Sequence, residues 1–403
     1  MAETLPRLRY SLDFAPSLDP ARPGLVIRDP YHFSDAVLVV PPALVAVLDC
    51  FDGEHTELDL RSELVRLTGE IQVGDIERNL FDSLNDAGFL ETEKYRMMRA
   101  DREAEFAAEA VRPPLFAGSA YPSEPNELSS VMSQHIGVAQ GTPETIAIAA
   151  PHASPAGGWD TYRAAYQALP ARDHAEERIF VVLGTSHYGA PDRFGLTRKP
   201  YVTPYGASRT ETAIVDELVA AAPKAIRLED YCHAVEHSIE FQVLFLQHVY
   251  GPSIRVLPIL CGPFVKSVFE GGLPEDNEDV SRFFDAAANI AAREGKRLFW
   301  VLGVDMAHMG SRYGDPIVAQ AHAGNMLEVR ERDNRRIEQL TQGNRDAYWD
   351  LIQERHDDLK WCGSAPLYTF LKVMPDVKGE LLHYDQWQID PQSVVSFGAM
   401  RFE

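Results

Sequence analysis

Three apolar runs in the second half of the chain each lead into a histidine. IAIAAP (146–151) precedes His152, IFVVLGTS (179–186) precedes His187, and LFWVLGVDMA (298–307) precedes His308, with Asp305 inside the last run. Runs this rich in Val, Ile and Leu read as strands buried on both faces, and open α/β sheets bind ligands beyond the carboxyl ends of their strands. A single histidine at a strand end is more often structural, because its ring satisfies loop carbonyls. Three of them, on neighbouring strands, would meet at one site. Neutral imidazole is a good ligand for iron, zinc and copper, and two imidazoles plus one anionic ligand, with positions left open, is a usual non-haem iron arrangement.

Cys362, in WCGSAPLYTFLKV, is a candidate for the anionic ligand. Leu367, Phe370, Leu371 and Met374 recur at helical spacing, which places Cys362 just before a helix start, where a thiol is expected to ionise more easily. The competing reading is a small buried hydrophobe, and it suits Cys50, Cys232 and Cys261 better. YCHAVEHSIEFQ offers His233 and His237 at i, i+4 spacing, but the glutamate is misplaced for H-E-x-x-H. A helix beginning near Glu236 is expected, with His237 either facing the site or structural. The chain holds no G-x-G-x-x-G, no Walker A sequence and no G-x-S-x-G elbow. Ser186 is a poor nucleophile, since it neighbours His187 on a strand and points to the opposite face.

The elements that position these residues alternate along the chain. After the four runs 146–151, 179–184, 255–260 and 298–305 come helical patterns, and VVSFGAMRF closes the chain as a last strand. This alternation predicts an α/β three-layer sandwich with a largely parallel central sheet. The first part reads differently. GLVIRD and AVLVVP are short strands, PALVAVLDCF is a helix, and a turn at Asp52-Gly53 leads to helices over 58–67 and 75–87, with FLET starting another strand. The boundaries expected are a small helix-rich domain over 1–95, a charged linker over 96–114 and an α/β domain over 115–403.

Composition narrows the function classes. The chain has 403 residues, too many for one ordinary domain, with 60 acidic and 38 basic side chains and a net charge of −22. Residues 1–110 alone hold 22 acidic and 11 basic groups. Such acidity repels phosphate backbones, so nucleic acid is not an expected partner. Four scattered cysteines with no C-x-x-C argue against a disulfide framework and a structural zinc knuckle. The first residues lack the pattern of a secretory signal, and the longest apolar run is broken by Pro41 and Pro42. A cytoplasmic protein without a membrane segment is expected.

Several stretches together resemble the Memo family: AGSAYPSEPNEL (117–128), APH (150–152), LGTSH (183–187), EHSIEFQ (236–242), LPIL (257–260), VDMAH (304–308), WCGSAP (361–366) and VVSFGAM (394–400). They occur in the family's order over residues 115–403. Bacterial and archaeal members are called AmmeMemoRadiSam system protein B, and the family is similar to class III extradiol dioxygenases in fold. The resemblance implies metal ligands at His152, His187 and Cys362, an acid and base at Asp305 and His308, and His237 lining the site. Where the dioxygenases have a carboxylate, this pattern has cysteine, which favours Cu(I), Zn or Fe over Mg or Ca. Two motifs depart from the family. PHASPAGGWDTY stands in place of PHAGYxYxG, so Trp159 or Tyr162 is expected to rebuild a pocket wall, and SHY with Tyr188 stands in place of SHH. Residues 1–95 resemble the PqqD-like winged-helix domain, which recognises a peptide in other systems.

The function expected is a metal-dependent redox enzyme, dioxygenase-like, using Fe(II) or else copper or zinc. A zinc hydrolase, or a module that binds peptide or protein through a vestigial cleft, are the alternatives. The expected partners are a small-molecule or peptide substrate and the radical-SAM and AMMECR-type proteins implied by the family name, with an oligomer also open.

Overall fold

The computed structural model describes residues 4–17, 19–171 and 177–403, and its chain divides into two units, Met1–Ala108 and Glu109–Glu403. In the first unit, strands β1 (Asp13–Pro16), β2 (Leu25–Arg28) and β3 (Val37–Val40) form an antiparallel sheet in that order. GLVIRD and AVLVVP thus supply β2 and β3, while β1 has too little apolar character to be read as a strand. Pro42–Cys50 forms a 3-10 helix rather than an α-helix. Pro42 stands at its first position, where the missing N–H costs no hydrogen bond, and Val45 and Val47 lose rotamer freedom in a regular α-helix. Helix α1 (Glu57–Thr68) opens on a capping box between Thr56 and Asp59, and α2 (Gly74–Asp86) follows. Leu60, Leu64, Leu80 and Leu84 are buried, as their spacing requires.

Two expectations for this unit change. FLET does not become a strand: Leu90 makes a single bridge with Leu8, and α3 (Glu93–Ala108) begins at once. The stretch from residue 96 therefore continues a helix that belongs to the first unit. Ion pairs at helical spacing join Arg96 to Glu93, Arg99 to Glu103 and Arg102 to Glu105, each worth a few tenths of a kcal/mol, and Phe106 is buried.

The second unit opens with α4 (Pro125–His135). In order follow β4 (Ala147–Ala150), α5 (Pro155–Gln167), β5 (Ile179–Thr185), β6 (Phe194–Leu196), β7 (Val202–Thr203), β8 (Gly206–Ala207), β9 (Arg209–Thr210), α6 (Thr212–Ala221), β10 (Ile226–Leu228), α7 (Cys232–Val235) and α8 (Glu240–Tyr250). Then come β11 (Arg255–Cys261), α9 (Val265–Glu270), α10 (Glu278–Glu294), β12 (Leu298–Gly303), β13 (His308–Gly310), α11 (Asn325–Thr341), α12 (Arg345–Gln353), α13 (Ser364–Val373), β14 (Gly379–Asp390) and β15 (Ser393–Phe402). The large sheet runs β10-β6-β11-β5-β12-β4-β15-β13, with β9 on β11 and β14 on β15. Its four middle strands, β11, β5, β12 and β4, are parallel.

Alternate residues of those strands enter two different cores. Val181, Leu183 and Leu302 pack with Ile214 of α6, Phe283 of α10 and Phe370 of α13. Phe180, Val182 and Val301 pack with Leu128 of α4, Tyr166 of α5 and Phe245 of α8. Helices therefore cover both faces, and the unit is the expected three-layer α/β sandwich. Each fully buried Phe or Leu contributes about 1.5–3 kcal/mol relative to exposure.

Register decides where the histidines arrive. Gly303 of β12 stands opposite Ala150 of β4 on one side and Gly184 of β5 on the other. The three strands end level, with β12 in the middle. His152, Asp305 and His187 lie two or three residues beyond that common row. The run toward His308 is not one strand, however. β12 stops at Gly303, Met306 N–H bonds to the Ser396 carbonyl of β15, and His308 starts β13, antiparallel to β15.

Candidate functional site

His152 leaves β4 wholly buried. Its Nδ1 donates to the Gly303 carbonyl at 2.9 Å. A carbonyl only accepts, so Nδ1 carries the hydrogen and Nε2 keeps its lone pair. That Nε2 lies 3.3 Å from the Cys362 Sγ and 3.6 Å from an Asp305 oxygen. The other Asp305 oxygen accepts the His152 backbone N–H at 2.9 Å. Asp305 thus ties the end of β12 to the end of β4.

His187 is oriented by Glu236. The Glu236 carboxylate accepts from the His187 backbone N–H at 2.8 Å and from its Nδ1 at 2.9 Å, and also from the His237 N–H at 2.9 Å. Glu236 is 0% exposed, and the His187 side chain is 27% exposed at the edge of the site. A carboxylate behind a histidine in this way fixes its tautomer and raises its basicity. The His237 ring lies parallel to that of His187, 5.1 Å between centroids, and edge-on to that of His152, also at 5.1 Å. One ligand atom from each of His152, His187 and His237 lies within 4.8 Å of the others.

Close backbone approach makes this convergence possible. A Cβ on Gly303 would stand 2.3 Å from the Ser238 carbonyl oxygen, so only glycine admits the 236–238 segment over the strand ends. A Cβ on Gly363 would stand 2.7 Å from the Asp305 carbonyl oxygen, so that glycine brings Cys362 to the same place. Gly363 is the N-cap of α13.

The 236–240 segment is braced from behind. Arg112 donates to the carbonyls of His233 and Glu236, each at 2.8 Å, and pairs with Glu240, both side chains being wholly buried. Glu240 also accepts from Tyr121 and from the N–H groups of Leu115 and Phe116. Opposite them, Asp333 accepts from Trp361 Nε1 at 2.7 Å, Tyr384 at 2.7 Å and Ser396 at 2.6 Å. Ser396 in turn accepts the Ala307 N–H at 2.9 Å. Asp333 therefore links the residue before Cys362 to the segment between Asp305 and His308.

Charge states follow from burial and partners. Burial, helped by the His187 charge, lowers His152 to about 3, and burial lowers His237 to about 3 and His308 to about 4. These three imidazoles are neutral at pH 7. His187 differs: burial opposes its charge, but Glu236 and Cys362 hold it well above the ordinary histidine range. Glu236 is itself held below the carboxylate range, since His187 and His237 outweigh its burial. Burial raises Asp305. It also raises the Cys362 thiol, against the pull of His187. The expected lowering of that thiol by the helix start is thus outweighed by desolvation.

His308 sits beside this cluster. Its Nδ1 donates to the Met306 carbonyl at 2.9 Å and the Lys360 carbonyl at 3.1 Å, which leaves the Nε2 lone pair for a proton. The Tyr313 ring meets it edge-on at 4.9 Å. His233 is not part of the site. α7 ends at Val235 and Glu236 is extended, so His233 and His237 share no helix face, and the His233 Nδ1 pairs with the Tyr201 hydroxyl at 2.7 Å. Trp159 stacks on His135 at 4.3 Å, whereas Tyr162 is buried and donates to the Ala153 carbonyl at 2.8 Å, steadying the loop after His152. Cys50, Cys232 and Cys261 are buried, as small hydrophobes are.

Sequence reasoning missed the roles of Glu236, Arg112 and Asp333. The usable signal was charge beside apolar runs: Glu236 precedes SIEFQVLFLQ and Glu240 stands inside it, and buried carboxylates demand partners.

Comparison with known proteins points to one family. A family model described as Memo-like protein matches residues 112–401. A MEMO1 family protein of Aquifex aeolicus is 24% identical over 389 residues, covering 96% of this chain and 97% of the relative. One from Methanosarcina barkeri is 24% identical over 300 residues, covering 73% of this chain and 100% of the relative. One from Thermus thermophilus is 28% identical over 305 residues, covering 75% and 85%. The Aquifex alignment is longer than the second unit and so enters the first.

Proposed function

The chain belongs to the Memo family, and from that premise we propose that its strand-end cluster is a redox metal centre held by His152, His187 and Cys362. Iron(II) is the preferred ion and copper the alternative. The observation that carries this reading is the 3.3 Å approach of the Cys362 Sγ to the His152 Nε2, within a cluster of imidazoles whose Nδ1 atoms are engaged on His152 and His187. The donor set fits such an ion: two imidazoles with their outer nitrogens fixed and a thiol that becomes a soft ligand once deprotonated. The bound metal would supply Lewis acidity and one-electron chemistry. Asp305 positions His152 through the backbone and stands 3.6 Å from its Nε2. His308 accepts or returns a proton at Nε2. His237 lines the site as a further neutral imidazole.

The test is the metal content of protein purified without oxygen and without an affinity-metal column. Near-stoichiometric iron or copper supports the reading. A second reading, zinc-dependent hydrolysis, is favoured by one observation: His152, His187 and His237 form a mutual set without the thiol, and three imidazoles with an open position suit catalytic zinc. Zinc as the sole metal would select it. No metal at all would sink both and leave a binding module.

A further inference from the structure

The chain reaches Cys362 through a strained loop. Arg355, His356, Asp357 and Lys360 have φ of 57°, 53°, 51° and 54°, the left-handed region that residues other than glycine avoid. Such strain persists only where the surroundings hold it, and it gathers at functional sites. The same loop also carries His308. The Leu359 carbonyl accepts the His308 backbone N–H at 2.9 Å, and the Lys360 carbonyl accepts from its Nδ1 at 3.1 Å. Whatever holds this loop therefore bears on the thiol and on the base together.

Trp361 ends the loop, and three charged side chains converge on it. Asp333 accepts from its Nε1 at 2.7 Å. Arg336, three residues further along α11, lies over the indole, 5.2 Å from Cζ to the ring centroid. Asp357 accepts the Trp361 backbone N–H at 2.9 Å and pairs with Arg336 at 2.8 Å. Trp361, Asp333 and Arg336 are all buried. A buried indole needs one acceptor for its N–H, and a neutral carbonyl serves. Buried charges are costly, and a buried ion pair adds little net stability over apolar packing. A charged clamp on one indole thus serves position more than stability. Beyond Trp361 the chain is tied down again: the Thr185 hydroxyl donates to the Cys362 carbonyl at 2.9 Å, and the Gly363 N–H to the Asp305 carbonyl at 3.1 Å. Cys362 is held between these two anchorages.

We infer that Trp361 is a positioning residue for Cys362 and His308: clamped by Asp333, Arg336 and Asp357, it holds the left-handed loop in the conformation that brings the thiol to His152 and orients the His308 ring. The inference deepens the metal reading and rests on it for the role of Cys362 as a ligand. With the clamp broken, the loop relaxes toward ordinary φ values and the Sγ loses its fixed place.

The experiment uses the full chain and three variants. Trp361→Phe keeps an aromatic ring but loses the donor, Asp333→Asn removes the accepting charge, and Leu340→Ala cuts a buried contact elsewhere on α11. Hydrogen exchange of the metal-free proteins, read by mass spectrometry, follows residues 355–364. Cobalt(II) is then titrated in, and its sulfur-to-metal charge-transfer absorption reports the thiolate. In both clamp variants the loop should exchange about tenfold faster, since its local opening becomes easier. Both should also bind cobalt about tenfold more weakly, the scale of a lost supporting contact, with a weakened thiolate band. Leu340→Ala should lower the melting temperature and change neither readout. Should Asp333→Asn fail to fold, Trp361→Phe decides alone. Wild-type exchange or a wild-type cobalt band in Trp361→Phe, or the same changes in Leu340→Ala, would overturn the inference. Faster exchange where even the wild type shows no thiolate band would leave it standing for the loop and His308 while the metal reading falls, and a strong band in every protein alike would do the reverse.

Discussion

The Nε2 of His152 lies 3.3 Å from the Sγ of Cys362, although 210 residues separate them in the chain. Two independent constraints produce that distance. His152 is set by the end of β4 and the Gly303 carbonyl of the neighbouring strand. Cys362 is set by Gly363, which lets the start of α13 rest on Asp305. Neither contact depends on a ligand, so the two donors are brought together by the fold itself.

Glu236 should control metal affinity without touching the metal. Its carboxylate holds the His187 Nδ1 and three backbone N–H groups. Glu236→Gln should lower metal affinity by about 10–100-fold, the usual effect of losing such a partner. Competition with a chromophoric chelator measures it. Unchanged affinity would mean that His187 is not a ligand.

Arg112 should matter for stability and for the site together. It is wholly buried, pairs with Glu240 and carries the carbonyls of His233 and Glu236. Arg112→Ala leaves Glu240 charged and without its partner, which costs about 3–5 kcal/mol. Urea unfolding should show that loss. A loss below about 1 kcal/mol, the size of an exposed ion pair, would contradict the bracing role.

Glu275 gives a pH signature to the helix that follows Cys362. Burial raises its carboxyl, but the hydroxyl of Tyr368 and the ammonium of Lys372, both on α13, more than offset that and leave it lowered. A lowered folded value stabilises the protein at pH above the unfolded value, about 4.3. That contribution is lost as pH falls through the folded value. Melting temperature should therefore drop on acidification below about pH 4.3, and less steeply in Glu275→Gln. Parallel slopes would show that the contact to α13 contributes nothing.

Much of this was legible in the sequence, and the gaps have physical causes. The strands carrying His152 and His187 were readable because full burial on both faces leaves long Val/Ile/Leu runs. Their convergence follows from register, since β12 separates β4 from β5 and all three end level. Glu236 was misread as a helix start because its partner His187 lies 49 residues away, beyond any local pattern. Burial of Cys362 was equally hidden, so its position beside a helix suggested an easier ionisation than the structure supports. In the first unit, Leu90 makes one bridge only, because the chain turns directly into α3. Among the described residues no helix is long and apolar enough to cross a membrane.

The most direct test of the metal assignment is X-ray absorption at the edge of the bound metal, on the wild type and on Cys362→Ala loaded with the same ion. The account predicts a sulfur neighbour at about 2.3 Å, as in metal–thiolate bonds, beside nitrogen neighbours, and its loss in the variant. A shell of nitrogen and oxygen alone, identical in both proteins, would contradict it.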